Sequence, residues 1–207
     1  MKKTIDTRGL PYPQPVVETK KALQEGDFTM LEVIVDNEIS SRNVSRFATN
    51  SGFRVIAVEQ IDENFRILIE ADSEQSDILK EEKSGSGDFP GLVDKFKSKK
   101  IVISSDRLGS GDEELGKKLL QSFLYALTET SIQPSMLIFL NSGVKFCSLE
   151  SGIIDILKKI QERGVEILVC STSLDYYQMT GKLKIGKISN LFDITRQLLD
   201  TGEILSI

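Results

Sequence analysis

The chain has 207 residues, 40% hydrophobic and 28% charged, with a net charge of −5 and no histidine. That composition describes a soluble globular protein with room for one large or two small domains, and its acidic balance argues against a nucleic-acid partner held through phosphates. Without histidine, and with only Cys147 and Cys170 as thiols, the chain has no Ser-His-Asp or Cys-His catalysis, no His-ligated zinc and no four-thiolate metal site, so no metal or cofactor is expected.

Taken in chain order, residues 1–72 predict a small α/β unit. A strand at Lys3–Asp6 leads into "DTRGLPYPQP", where Pro11, Pro13 and Pro15 alternate around Tyr12. A helix follows from about Pro13, since proline is tolerated in a first turn, and Gly26 is placed to end it. "MLEVIVD" alternates as a strand. "SSRNVSRFATNSG" predicts a helix with Val44, Phe47 and Ala48 inward, and "FRVIAVEQ" and "NFRILIEA" predict a hairpin turning at Asp62–Asn64. The order is βαβαββ, expected to fold as a two-layer sandwich with both helices on one face of a mixed four-stranded sheet.

Residues 73–98 are polar, contain a Gly/Ser run and lack an apolar period, which predicts a linker. From 99 to 207 strands and helices alternate. "KIVISSD", "SMLIFLN", "VEILVC" and "EILSI" predict strands. "GSGDEELGKKLLQSFLYAL" predicts a helix burying Leu115, Leu119, Leu120, Phe123 and Leu127, and "ESGIIDILKKIQERG" and "ISNLFDITRQLLDTG" predict two more. This alternation predicts a three-layer domain, a parallel sheet with helices on both faces. The start "MKKTIDTRGL" lacks the apolar core of a signal peptide, and the apolar runs are too short to cross a bilayer. A cytoplasmic chain with no membrane contact is expected.

The chemistry-bearing residues lie where these elements meet. "GSGDEELG" opens a helix but lacks the P-loop lysine, and its acidic residues would repel a phosphate. Cys170 ends a strand, and in open parallel sheets ligands bind outside the carboxyl ends of strands. Ser171, Thr172 and Ser173 follow it, with hydroxyls and N–H groups suited to an anionic sulfur species. A buried cysteine serving as a small hydrophobe is the other reading. Cys147 lies in the loop after the preceding strand, with Asn141 and Lys145, and has the same two readings. Because neighbouring strands lie about 4.8 Å apart, Cys147 is a candidate resolving thiol for Cys170, provided their Cα atoms come within about 7 Å. At the other end of the chain, a group just before a helix N-terminus sits in a positive field that favours a thiolate. Tyr12, which occupies that place, cannot carry a persulfide, and its ring is expected to pack over the helix start.

Asp6, Arg8, Gly9, Leu10, Pro13 and Pro15, followed by "KKAL" and "LEVIVDN", resemble the SirA/TusA-type sulfur-carrier family, whose motif reads D-x-R-G-L-x-C-P-x-P. The motif cysteine is replaced by Tyr12. The carboxyl part, with "SSDRLGSGDEELG", "NSGVK", "GVEIL" and "CSTSLDYY", resembles DsrE/DsrF-like sulfur-transfer domains, and the two in this order resemble the YedF-type proteins of selenium metabolism. Where that family usually reads C-G-T-C-L-D, this chain keeps Cys170 but has Ser171 and Ser173.

The resemblance implies a sulfurtransferase-like protein handling persulfide sulfur or selenium through Cys170. Arg8, Gly9, Tyr12, Pro13 and Pro15 would form a degenerate carrier motif, and Ser171, Thr172, Ser173, Asn141 and Lys145 would contact the substrate. The expected partners are other sulfur- or selenium-relay proteins, and the carboxyl domain is where a homo-oligomer would form. One alternative is a non-catalytic docking module for relay proteins. The other is an RNA-associated regulator, which requires a contiguous basic face around Arg42, Arg46 and Arg54.

Overall fold

A computed structural model describes residues 1–71, 99–148, 152–200 and 202–207. The predicted linker, 73–98, lies outside the described residues. The chain divides into two compact units, Met1–Gly87 and Asp88–Ile207.

The amino-terminal unit has the predicted order: β1 (Lys2–Asp6), α1 (Gln14–Glu25), β2 (Met30–Val35), α2 (Glu38–Asn50), β3 (Arg54–Ile61) and β4 (Asn64–Glu70). The sheet runs β1-β2-β4-β3, with β1 and β2 parallel and the other pairs antiparallel. Alternation along β2 and β4 sends Leu31, Val33, Val35, Ile67 and Ile69 to one face, where Ala22, Leu23, Val44 and Ala48 of the helices cover them. On the other face Glu32 is buried yet charged. It accepts hydrogen bonds from Lys2 Nζ (2.8 Å) and Thr4 Oγ1 (3.0 Å) and pairs with Arg66 (3.3 Å). The Lys2 ammonium is the main cause holding its carboxyl below the usual range, against the pull of burial.

The second unit holds β5 (Lys100–Ile103), α3 (Glu113–Glu129), β6 (Met136–Phe139), α4 (Gly152–Glu162), β7 (Glu166–Cys170), α5 (Ser171–Tyr176), β8 (Lys187–Ser189), α6 (Leu191–Leu199) and β9 (Ile204–Ser206). The strand order is β8-β7-β6-β5-β9, every pair parallel. One face presents Ile101, Ile103, Leu137, Phe139, Ile167 and Val169 to α3 and α4, while Val102, Ile138, Leu168 and Cys170 turn to Ile194 of α6. The three-layer arrangement expected from the strand–helix alternation is present.

Four details differ from the sequence reading. Leu115 and Leu119 of α3 are exposed, and Leu124 is buried in their place. Gly116, Leu120, Leu124 and Leu127 share the inner stripe, and Leu115 and Leu119 lie about 100° round the helix from it. Helix α3 begins at Glu113, with Asp112 Oδ1 accepting from Leu115 N–H (2.8 Å), so Gly109–Gly111 form a loop. Ile188 and Ser189, read as the start of a helix, belong to the edge strand β8 (Lys187–Ser189). The segments after β6 and β7 are a 3₁₀ helix, Asn141–Cys147, and the short α5.

Candidate functional site

The amino-terminal candidate lies at the carboxyl end of β1, where the chain crosses to α1. Arg8 donates to both Asp6 carboxylate oxygens, from Nε at 2.9 and 3.1 Å and from NH2 at 2.6 Å, and these hydrogen bonds hold the Asp6 carboxyl at about 2. Gly9, at φ 74°, directs its N–H to Asp36 Oδ2 (2.7 Å), tying this loop to the end of β2. That hydrogen bond is the first cause of a lowered Asp36 carboxyl. Pro15 is buried, Pro13 stands at the N-cap, and Tyr12 projects with 55% of its surface exposed.

The first-turn donors of α1 are already engaged. Gln14 N–H donates to Pro11 O (2.9 Å), Val16 and Val17 N–H to Pro13 O (3.0 and 3.2 Å), and Pro15 has none. An anion at position 12 would feel the helix dipole without a free first-turn N–H. The edge is intact as a presented surface: Tyr12 and Ile39, at the starts of the two helices, are both exposed. Because β1 and β2 are parallel neighbours, both helix starts lie on the same edge of the sheet.

The second candidate is the carboxyl edge of the parallel sheet, where the loops after β5, β6 and β7 meet. Asn141, at φ 45°, donates its N–H to Ser173 Oγ (2.9 Å), and its Oδ1 accepts from Tyr177 OH (2.9 Å). Lys145 Nζ lies 3.0 Å from Asp106 Oδ2 and 5.1 Å from the centre of the Tyr177 ring. Ser142 Oγ accepts from Asp106 N–H (3.0 Å) and donates to Asp106 Oδ1 (3.3 Å). Burial pulls the Asp106 carboxyl upward, but Lys145 and Ser142 outweigh it and hold it below its ordinary value. Gly143 permits the close approach: a Cβ there would stand 2.3 Å from Ile103 O.

Of the predicted residues, the structure brings Asn141, Lys145 and Ser173 into one network. Ser171 and Thr172 take no part in it. Asp106, Ser142 and Tyr177 belong to it and were missed, although each follows a strand carboxyl end. Asn141, Lys145 and Ser173 are engaged with one another or with Asp106 and Tyr177, which makes the network a clamp across three loops.

The thiols do not form the expected pair. Cys147 is fully buried in the cluster on the α3/α4 face, and burial pushes its thiol far above the ordinary range. Cys170 is 3% exposed and lies on the opposite face, among Val102, Ile138, Leu168 and Ile194. Strand alternation separates them: Val169 turns to one face and Cys170 to the other. Cys147 as resolving thiol is therefore corrected.

A family model described as Sulfurtransferase TusA matches residues 3–71. A Methanocaldococcus jannaschii protein described as "Putative sulfur carrier protein" is 41% identical over 68 residues, 32% of this chain and 91% of that protein. The chain belongs to the TusA family. Among solved structures, a SirA-like protein from Desulfitobacterium hafniense is 34% identical, covering 34% of this chain and 97% of its own, with a TM-score of 0.31. The ychN protein from E. coli is 17% identical, covering 53% and 99%, with a TM-score of 0.40. A conserved protein of unknown function from Bacteroides thetaiotaomicron is 13% identical, covering 55% and 97%, also at 0.40.

The TusA match, residues 3–71, falls wholly within the amino-terminal unit, which also carries Arg8, Gly9, Tyr12, Pro13 and Pro15. No helix of the described residues is long and apolar enough to cross a membrane, and no group of metal-ligating side chains occurs among them. Of the arginines expected to make a basic face, Arg42 pairs with Glu38 at 2.5 Å on α2, and Arg54, at the start of β3, pairs with Glu70 at 3.7 Å.

Proposed function

We propose that this TusA-family chain acts in sulfur relay as a docking component, presenting a carrier surface that holds no sulfur of its own. The observation that carries this reading is Tyr12. It stands in the position that the resemblance assigns to cysteine, exposed on an edge whose other motif residues, Arg8, Gly9, Pro13 and Pro15, keep their places. A phenol cannot form a persulfide, whereas an exposed ring at an intact recognition edge is a good anchor for a partner. The burial of Cys170 supports the same reading, since a thiolate needs access to attack a donor persulfide.

The partners are proteins that give sulfur to, or take it from, thiol-bearing carriers. The carboxyl unit, Lys99 onward, is read as a DsrE/DsrF-like domain joined through residues 73–98. This makes the chain YedF-like in organisation, cytoplasmic, with selenium as an alternative cargo of its partners. The direct test is competition. Sulfur transfer from a cysteine-persulfide donor protein to a thiol-bearing TusA-type carrier should slow as this chain is added, and Tyr12→Asp should relieve the inhibition. Unchanged transfer at saturating chain would reject docking.

A second reading is relay through Cys170 itself. It is favoured by the position of that residue, at the carboxyl end of β7 and the N-cap of α5 beside Ser171 and Ser173. It requires α6 to lift from the sheet. Incubation with a persulfide donor, followed by mass spectrometry of the wild type, Cys170→Ala and Cys147→Ala, separates the two readings.

A further inference from the structure

Strand β3 is the edge of the amino-terminal sheet farthest from β1. It pairs with β4 alone, so its outer row of backbone N–H and C=O groups has no strand partner among the described residues. It is eight residues long and carries Ile56, Val58 and Ile61 at 42%, 49% and 39% exposure. A long edge strand with exposed branched side chains is a template for a further strand. The pairing with β4 is interrupted once: Val55 stands opposite Ile69 and Ala57 opposite Leu68, so Ile56 is the extra residue of a bulge. The bulge shifts the side-chain phase. Arg54, opposite Glu70, and Glu59, opposite Arg66, both fall on the open face of the sheet. Val55 and Val58, opposite Ile69 and Ile67, both fall on the face that the helices cover. Without the extra residue Arg54 and Glu59 would lie on opposite faces. Arg54 makes a long, 3.7 Å pair with Glu70. Glu59 has no ion pair among the described residues, and Arg66 opposite it pairs with Glu32.

We propose that β3 pairs antiparallel with β3 of a second copy, about a two-fold axis through the bulge at Ile56. In that register Arg54 of each copy stands opposite Glu59 of the other on the open face, and Val55 stands opposite Val58 on the helix-covered face. Each contact occurs twice, as an isologous interface requires. A bulge ordinarily blunts an edge; this one makes the edge self-complementary, because it brings Arg54 and Glu59 to the same face. Charge selects this register and a second copy as the occupant. Moving the axis to Val58 sets Arg54 against Ile61 and Val55 against Gln60, and moving it to Glu59 sets two carboxylates face to face. The pairing joins the two sheets into one, four strands from each copy, with both helix layers on the same side and the two Tyr12 edges at opposite ends. The inference is independent of the docking reading, because β3 shares no residue with the Tyr12 edge, and it uses no residue of the carboxyl unit.

An edge-to-edge contact is small and its association weak, so covalent trapping in the full chain is the test, and it reads this contact apart from any other. Ile56→Cys, at the axis, should form an intermolecular disulfide on mild oxidation. Residues opposite each other in antiparallel strands have Cα atoms about 4.5–5.5 Å apart, within the reach of a disulfide. Thr49→Cys, also exposed but on α2, should not cross-link. Added to Ile56→Cys, Arg54→Glu and Glu59→Arg should each cut the yield at least about tenfold, because each sets like charges opposite one another twice. The double exchange, Arg54→Glu with Glu59→Arg, should restore the yield, an outcome that damage to the strand could not give. Cross-linking of Ile56→Cys no greater than that of Thr49→Cys overturns the proposal, whether another segment or another protein covers the edge. So does a yield that either single exchange leaves unchanged, or a double exchange that stays as low as the single ones.

Discussion

Replacing Tyr12 by cysteine places a thiol on the proline-framed edge, and the structure sets how far its pKa should fall. A free thiol titrates near about 8.5. The dipole of α1, twelve residues long, favours an anion at its start by about 0.3–1 kcal/mol. At 1.36 kcal/mol per pK unit that is a lowering of about 0.2–0.7. Nothing local adds to it: Gln14, Val16 and Val17 N–H groups are engaged with Pro11 and Pro13 carbonyls, and Arg8 is held by Asp6. The thiol of Tyr12→Cys should therefore titrate at about 7.8–8.3. The assay is the rate of alkylation by iodoacetamide against pH, with the wild type as the background for its buried thiols. A midpoint below about 7 would show that the first turn opens to donate N–H groups. A midpoint at or above the free-thiol value would show that the helix field does not reach position 12.

Lys145→Met should lower stability by about 1 kcal/mol, because it leaves the partly buried Asp106 without its ammonium. Asp106 is depressed in the folded state, so its contribution is present above the unfolded carboxylate pKa and is lost as pH falls through the folded one. Urea titrations from neutral pH into that acid range should show a shallower decline for the variant. Gly143→Ala should cost about 1–3 kcal/mol, since its Cβ would meet the carbonyl of Ile103, and thermal melting measures it. Ile194→Ala should speed labelling of Cys170 by a thiol-reactive dye at least about tenfold by loosening α6. Cys147, on the other face, should label no faster, and equal acceleration of both would mean general unfolding.

The two-unit α/β organisation could be read from the sequence because its signals are local. The β-branched apolar run of "MLEVIVD", glycines at 26, 52 and 164 with positive φ, and other apolar runs of strand length each carry their own structure. The phase of α3 was misread because Leu115 and Leu119 continue an apolar pattern into its solvent face. Strand β8 was missed because three residues at a sheet edge take their conformation from pairing with β7, which no local pattern records. The site divided in the same way. The proline-framed edge around Tyr12 is contiguous in sequence and was found. The Asp106–Lys145–Tyr177 clamp joins three loops, and the separation of Cys147 from Cys170 depends on which face each turns to, a matter of register within the fold.

Whether this chain presents a carrier surface without carrying sulfur is tested directly by intact mass spectrometry after incubation with a cysteine-persulfide donor. The wild type should show no sulfur-atom increment, and Tyr12→Cys should show one that a reducing thiol removes. An increment on the wild type, mapped to Cys170 or Cys147, would contradict the docking reading.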